Sequence, residues 1–190
     1  EALYWAHLGS HANPVIFMNT AHYWDDFIAF LETLPDLSRY HFMVVDSIED
    51  LFTQLDKWQP PEVTNDPEDL PHFEDFILQD TDEPLIFDTP SVKDGYVLAT
   101  ALGLKQLGRH DRHIGILNTD GQFDLLLNWI ASAQTEKFIT DHCTELFSVD
   151  SDRHALMQKL DAQKKISIDL HHDKWGPSET KTHIEIRETE

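Results

Sequence analysis

Apolar residues along this chain fall into short unbroken runs, separated by longer stretches in which they recur every three or four positions. The runs lie at 15–18, 41–45, 84–87, 114–117 and 146–149. Their length and continuity predict strands buried on both faces, as in a parallel sheet. Between them, Trp24, Phe27, Ile28 and Leu31 keep the spacing of one buried helix face. So do Ile48, Leu51, Phe52 and Leu55, then Phe123, Leu126, Leu127 and Ile130, and finally Leu156 and Leu160. Helices are further expected at 1–8, 72–79 and 97–107. Helix and strand thus alternate, with connections of the length that parallel strands need. The predicted class is α/β, a Rossmann-like doubly wound parallel sheet.

Punctuation residues sharpen these boundaries. Gly9 and Gly108 suit the left-handed position that ends a helix, and Pro14 keeps the first helix from resuming. Asp25 and Asp26 stand where carboxylates favour a helix N-terminus. Ser47, with Asp50 three residues on, resembles a capping box. The chain opens without Met and without a capping residue, directly inside a helical pattern, which is the expectation for a fragment of a longer protein.

The pattern also repeats. Residues ninety-nine positions apart are identical at Ala2/Ala101, Leu3/Leu102, Leu8/Leu107, Gly9/Gly108, His11/His110, Asn19/Asn118, Thr20/Thr119 and Asp25/Asp124. Two related helix–strand–helix–strand–helix units are therefore expected, at 1–58 and 72–163. Between them residues 59–71, rich in Pro and acid with little to bury, predict a linker. Residues 137–143 are an inserted loop in the second copy. Residues 164–190 form a charged tail with an edge strand expected at 182–186.

Charge changes the picture more than size does. The 190 residues carry 35 acidic against 14 basic side chains, a formal net charge of −21. Such a surface repels phosphate backbones, so no nucleic-acid partner is expected. Cys143 stands alone, which fits a reducing compartment, and neither a membrane span nor an export signal is legible; the expected location is cytoplasmic. His171-His172-Asp173 has no helically spaced His pair and no Cys partner, so no metal is expected. His11 and His110, just past helix ends, are expected to lie against helix carbonyls as partly positive imidazoles. Trp5 and Trp24 are expected in the core or at a subunit contact. Ligands of α/β sheets usually sit beyond the C-terminal ends of strands. Asn118, Thr119, Asp120 and Gly121, with Asn19 in the first copy, are therefore substrate-binding candidates; helix capping explains them equally well.

The segment Gln106-Leu107-Gly108-Arg109-His110, followed by Ile114-Gly115-Ile116-Leu117-Asn118 and Asp120-Gly121-Gln122-Phe123, resembles the C-terminal half of the LOG (LONELY GUY) family, historically labelled lysine decarboxylase-like. Trp5-Ala6-His7-Leu8-Gly9-Ser10-His11 and Pro14 to Asn19 are similar to the same pieces. The resemblance covers about 1–58 and 84–161. It implies a Rossmann-like nucleotide hydrolase that cleaves the N-glycosidic bond of a nucleoside 5′-monophosphate, such as AMP or a cytokinin ribotide, to base and ribose 5-phosphate. It implies no cofactor. A nucleotide and a second LOG-type subunit, or a homo-oligomer, are the implied partners.

The family's PGGxGTxxE motif departs here. Its counterpart in the second copy is Thr89-Pro90-Ser91-Val92-Lys93-Asp94-Gly95-Tyr96-Val97. Pro90, Ser91 and Lys93 stand where the resemblance implies glycines, Val97 where it implies the catalytic Glu, and Glu74 near the implied Arg. No catalytic residue is therefore assigned, and two expectations remain. The chain is a part of a phosphoribohydrolase that is not competent alone, or it is a pseudoenzyme serving assembly.

Overall fold

A computed structural model describes residues 1–38, 41–66 and 71–163. The charged tail, with its expected strand at 182–186 and the His171-His172-Asp173 cluster, lies outside the described residues. Among the described residues helices and strands follow in the order α1 (Ala2–His7), β1 (Val15–Met18), α2 (Asp25–Thr33), β2 (Phe42–Val45), α3 (Ile48–Leu55), α4 (Glu74–Ile77), β3 (Leu85–Phe87), α5 (Val92–Gln106), β4 (Ile114–Leu117), α6 (Asp124–Thr135), β5 (Ser148–Asp150) and α7 (Arg153–Ala162). The strands form two sheets, β1-β2 and β3-β4-β5, and every pairing is parallel. The fold is α/β and Rossmann-like.

The apolar runs became strands because their side chains find cover on both faces. Phe17, Phe42, Leu85, Phe87, Ile114 and Ile116 are buried, and with the helices they form one contiguous core that spans both sheets; Val45 is buried as well. The sheets are joined through their helices: α1 packs on α5, and α2 packs on α6. Trp24 belongs to that second contact, half-buried against the core and stacked on Trp129.

Local geometry recurs at the ninety-nine-residue offset. Gly9 and Gly108 both take positive φ, at 68° and 67°. The His11 ring bonds to the Ala2 carbonyl at 3.0 Å, and the His110 ring to that of Ala101 at 2.9 Å. A single 3-10 turn follows β1 at Thr20–His22 and another follows β4 at Thr119–Gly121.

The helices that follow β2 and β5 are held differently. Gly115 of β4 lets α7 come close, since a Cβ there would stand 3.0 Å from Leu160 and 3.3 Å from Leu156. Both leucines are fully buried. Ile16 stands at the same place in the first sheet, as the strand registers show. There α3 packs on β2 and buries none of its residues, leaving Ile48 and Phe52 each 62% exposed.

Three elements differ from expectation by two residues or more. Helix α5 begins at Val92, five residues early, because Ser91 caps it by accepting the Asp94 N–H at 3.0 Å. Helix α4 is only four residues long, and β5 starts two residues late. The segment read as a linker is also tied down. Thr64 and Asn65 donate their backbone N–H groups to the Gly9 carbonyl, and the Asn65 amide bonds to that of Leu8, so orphan carbonyls at the end of α1 are satisfied. Thr64 then sits where a Cβ on residue 9 would be.

The charge expected on His110 is not supported. Burial pushes its imidazole below the ordinary value, as do Lys105 and Arg112 nearby, against the opposing pull of the Ala101 carbonyl and Asp111. The neutral ring donates from Nε2, and its buried Nδ1 has no partner among the described residues. Its folded pKa lies below its unfolded one, so the unfolded chain takes up the proton first as pH falls. Stability is therefore complete above the unfolded value of about 6.5 and is lost on acidification toward the folded value. Urea melts at pH 7.5 and 5.5 should show a shallower loss in His110→Gln than in the parent chain. Equal losses would mean that this ring does not carry the effect.

Candidate functional site

The candidate residues sit where two strands end. At the end of β4, the Asn118 N–H donates to the Asp150 carbonyl on β5 at 2.8 Å. Its side chain spans the turn beyond: Oδ1 accepts the Phe123 N–H at 2.8 Å, and Nδ2 donates to Asp124 at 2.6 Å. The Asn19 side chain does the same after β1, accepting from the Trp24 N–H at 2.9 Å and donating to Asp25 at 2.6 Å. Each asparagine thus ties the start of a helix to the end of a strand. Their side-chain bonding groups are engaged in turn geometry.

Within that turn Asp120 and Gly121 take left-handed φ, at 56° and 75°. Thr119 and Asp120 are exposed, while Gly121 lies under the Asp124 carboxylate, which a Cβ would strike. Asn118, Thr119, Asp120 and Gly121 are therefore one structural unit. Asn19 belongs to the corresponding turn of the other sheet, with its own separate partners.

Around the β3-β4-β5 ends the sequence reading missed several groups. Gln122 donates to the carbonyls of Asp88, just past β3, and Leu117, so it bridges two strand ends. Arg153 pairs with Asp88 at 3.6 Å, and Lys159 with Asp150 at 2.9 Å. The Asp150 carboxyl is held below its usual range by the Asp152 N–H it accepts, and then by Lys159. Both cations are thus matched by carboxylates. Among the described residues no cluster of His, Cys, Asp or Glu is arranged to hold a metal ion.

The N-terminus of α5 would be the natural seat for an anion, since four backbone N–H groups there lack helical partners and the helix dipole adds positive potential. It is already taken. Ser91 accepts one N–H, and both Asp36 carboxylate oxygens, reaching from the segment after α2, lie 3.2 and 3.3 Å from the Val92 N–H. A protein carboxylate stands where a phosphate would be received. No sequence signal local to α5 could have shown this, because Asp36 is 56 residues away.

Comparison with known proteins bears on this site. The chain is 34% identical over 70 residues to the Arabidopsis thaliana cytokinin riboside 5′-monophosphate phosphoribohydrolase LOG5, a match covering 37% of the chain and 31% of that protein. It is also 34% identical over 65 residues to the probable cytokinin riboside 5′-monophosphate phosphoribohydrolase LOGL6 of Oryza sativa subsp. japonica, covering 34% of the chain and 26% of that protein. The chain is related to the LOG family. A further rice relative, LOGL1, is 36% identical over 56 residues, covering 30% of the chain and 25% of its own length. The chain thus spans between a quarter and a third of the length of the LOG proteins it matches. No family model and no solved structure matches it.

The places where the LOG resemblance implies chemistry hold other groups. Val97 is buried in the core, 6% exposed, and Glu74 lies in the first turn of α4. Lys93 is turned over the Phe73 ring, 5.3 Å from its centroid. Among the described residues no helix is long and apolar enough to cross a membrane.

Proposed function

We propose that this chain is part of a LOG-type nucleoside 5′-monophosphate phosphoribohydrolase architecture and that it does not release base by itself. Residues 1–58 correspond to the C-terminal half of one unit and 72–163 to a second, silent one, joined through 59–71. The observation that carries this reading is the Asp36 carboxylate on the α5 N-terminus. Hydrolysis of an N-glycosidic bond needs a seat for the phosphate, a cation beside it, and a carboxylate for the oxocarbenium-like ribose and attacking water. At the second unit the seat holds an internal carboxylate, the cation position holds Glu74, and the carboxylate position holds Val97.

A role in assembly is the second reading, and the aromatic contact between α2 and α6 favours it. Two LOG-like units in one chain, packed helix to helix, supply a partner for each other without a second subunit.

The test is release of free base from AMP and from an isopentenyladenosine monophosphate at neutral pH, with and without high salt, followed by chromatography. No release above background is expected, since removing one transition-state stabiliser commonly costs ~10²–10³ in rate and three are replaced here. Val97→Glu should not restore release, because Asp36 still fills the seat. Release by the purified chain that is lost on mutating a residue within 84–124 would overturn this reading.

A further inference from the structure

A chamber of about 450 Å³ lies between the helices that join the two sheets. Its walls come from both halves: Phe27, Phe30 and Leu31 on α2, Trp129 on α6, and Leu98 and Leu102 on α5. Volumes of ~300–1,000 Å³ with mostly apolar walls and a few polar groups are typical of small-molecule sites, which form preferentially between structural units.

Helix α5 keeps this space open. Gly95, Ala99 and Gly103 face the chamber at intervals of one helical turn, and a Cβ added at Gly95 or Gly103 would meet nothing within 4 Å. Glycine inside a helix is less favourable than alanine, and neither position has the positive φ that would require it. Packing does not demand these glycines either. They leave a trough along the helix.

The lining also states what would fit. Among the described residues no Lys, Arg or His lines the chamber, and the chain carries a net charge of −21, so an anionic head group finds no side-chain counter-charge there. Its polar contribution is sparse: the Gln106 amide, bonded to the Cys143 sulfur at 3.5 Å, and the hydroxyls of Tyr4, Tyr96 and Ser91. Glu1 also lines the chamber, with its side chain exposed.

We propose that the chamber between α1, α2, α5 and α6 binds a small, uncharged, hydrocarbon-rich molecule carrying at most one or two hydrogen-bonding groups. The chamber is separate from the strand ends and reaches the α5 N-terminus only at its edge, at Ser91 and Val92. It neither rests on the nucleotide reading nor tests it.

N-phenyl-1-naphthylamine, neutral and apolar, is the probe. Titrated into the full chain, it should bind saturably at one per chain, with blue-shifted emission sensitised by tryptophan and a rise in Tm. Gly103→Leu and Ala99→Phe each project a side chain into the chamber and should weaken binding at least tenfold while keeping the helical circular dichroism. Trp129→Phe, which keeps an aromatic wall, should retain binding but lose most of the sensitised emission. Phe52→Glu, on the exposed face of α3, should leave binding unchanged. Non-saturating uptake, binding that persists in both filled variants, or binding abolished by Phe52→Glu would overturn the proposal.

Discussion

Replacing Trp129 with alanine is expected to lower stability by about 3–5 kcal/mol, a large part of the 5–15 kcal/mol typical of a domain. The ring is the centre of the contact between the two sheets. It stacks on Trp24 with centroids 5.4 Å apart and planes 22° from parallel, and it lies 4.7 Å from Phe27 and 6.3 Å from Tyr23. Its indole N–H is buried without a hydrogen-bond partner among the described residues, so truncation removes packing and no hydrogen bond. Trp129→Phe should therefore lose well under half as much, because ring contact survives. Urea denaturation followed by far-ultraviolet circular dichroism measures both. A loss below about 1 kcal/mol for the alanine variant would mean that the aromatic seam does not hold the sheets together.

Arg112→Met is the second substitution expected to act strongly, at about 2–4 kcal/mol. Arg112 is buried between α5 and β4, where its Nε donates to the Glu83 carbonyl at 2.9 Å and its Nη1 to that of Phe76 at 2.8 Å. The guanidinium also covers the Phe76 ring at 5.4 Å. Its own carbonyl accepts the buried Lys105 ammonium at 2.6 Å. One side chain thus secures α4 and the approach to β3, and methionine would fill the space while leaving those carbonyls without their donors. Arg112→Lys should recover less than half of the loss, since a single ammonium cannot reproduce the fork. Urea melts give the magnitude, and hydrogen exchange at 74–77 should rise in both variants. Unchanged exchange there would show that α4 is held by its apolar contacts alone.

What was legible in the sequence was whatever depends on neighbours a few residues apart. The continuous apolar runs placed β1 and β4 without error, and Ser47 with Asp50 marked the cap of α3, whose hydrogen bond is 3.0 Å long. The same spacing at Ser91 and Asp94 carries the true start of α5, within the segment that resembles a glycine-rich loop. Long-range contacts were not legible. Arg112, within a polar His-Asp-Arg-His turn, is buried only because residues 76–83 return across it, and Asp36 reaches α5 only because the two sheets are packed together. The candidate site suffered from the same limit. Asn19 and Asn118 were correctly placed at strand ends, yet capping and ligand binding use the same groups there, and only the bond to Asp25 or Asp124 shows how they are engaged.

The turn after β1 keeps Ala21 and His22 at φ of 55° and 62°, where the turn after β4 has Asp120 and Gly121. Left-handed backbone disfavours a side chain at both positions, so local preference does not specify this shape. The clamp of Asn19 on Trp24 and Asp25 imposes it from outside, as a mould does. A moulded loop is released from the residues that would otherwise define it. Its tip, with His22 open to solvent, can change its chemistry while the backbone beneath it stays in place.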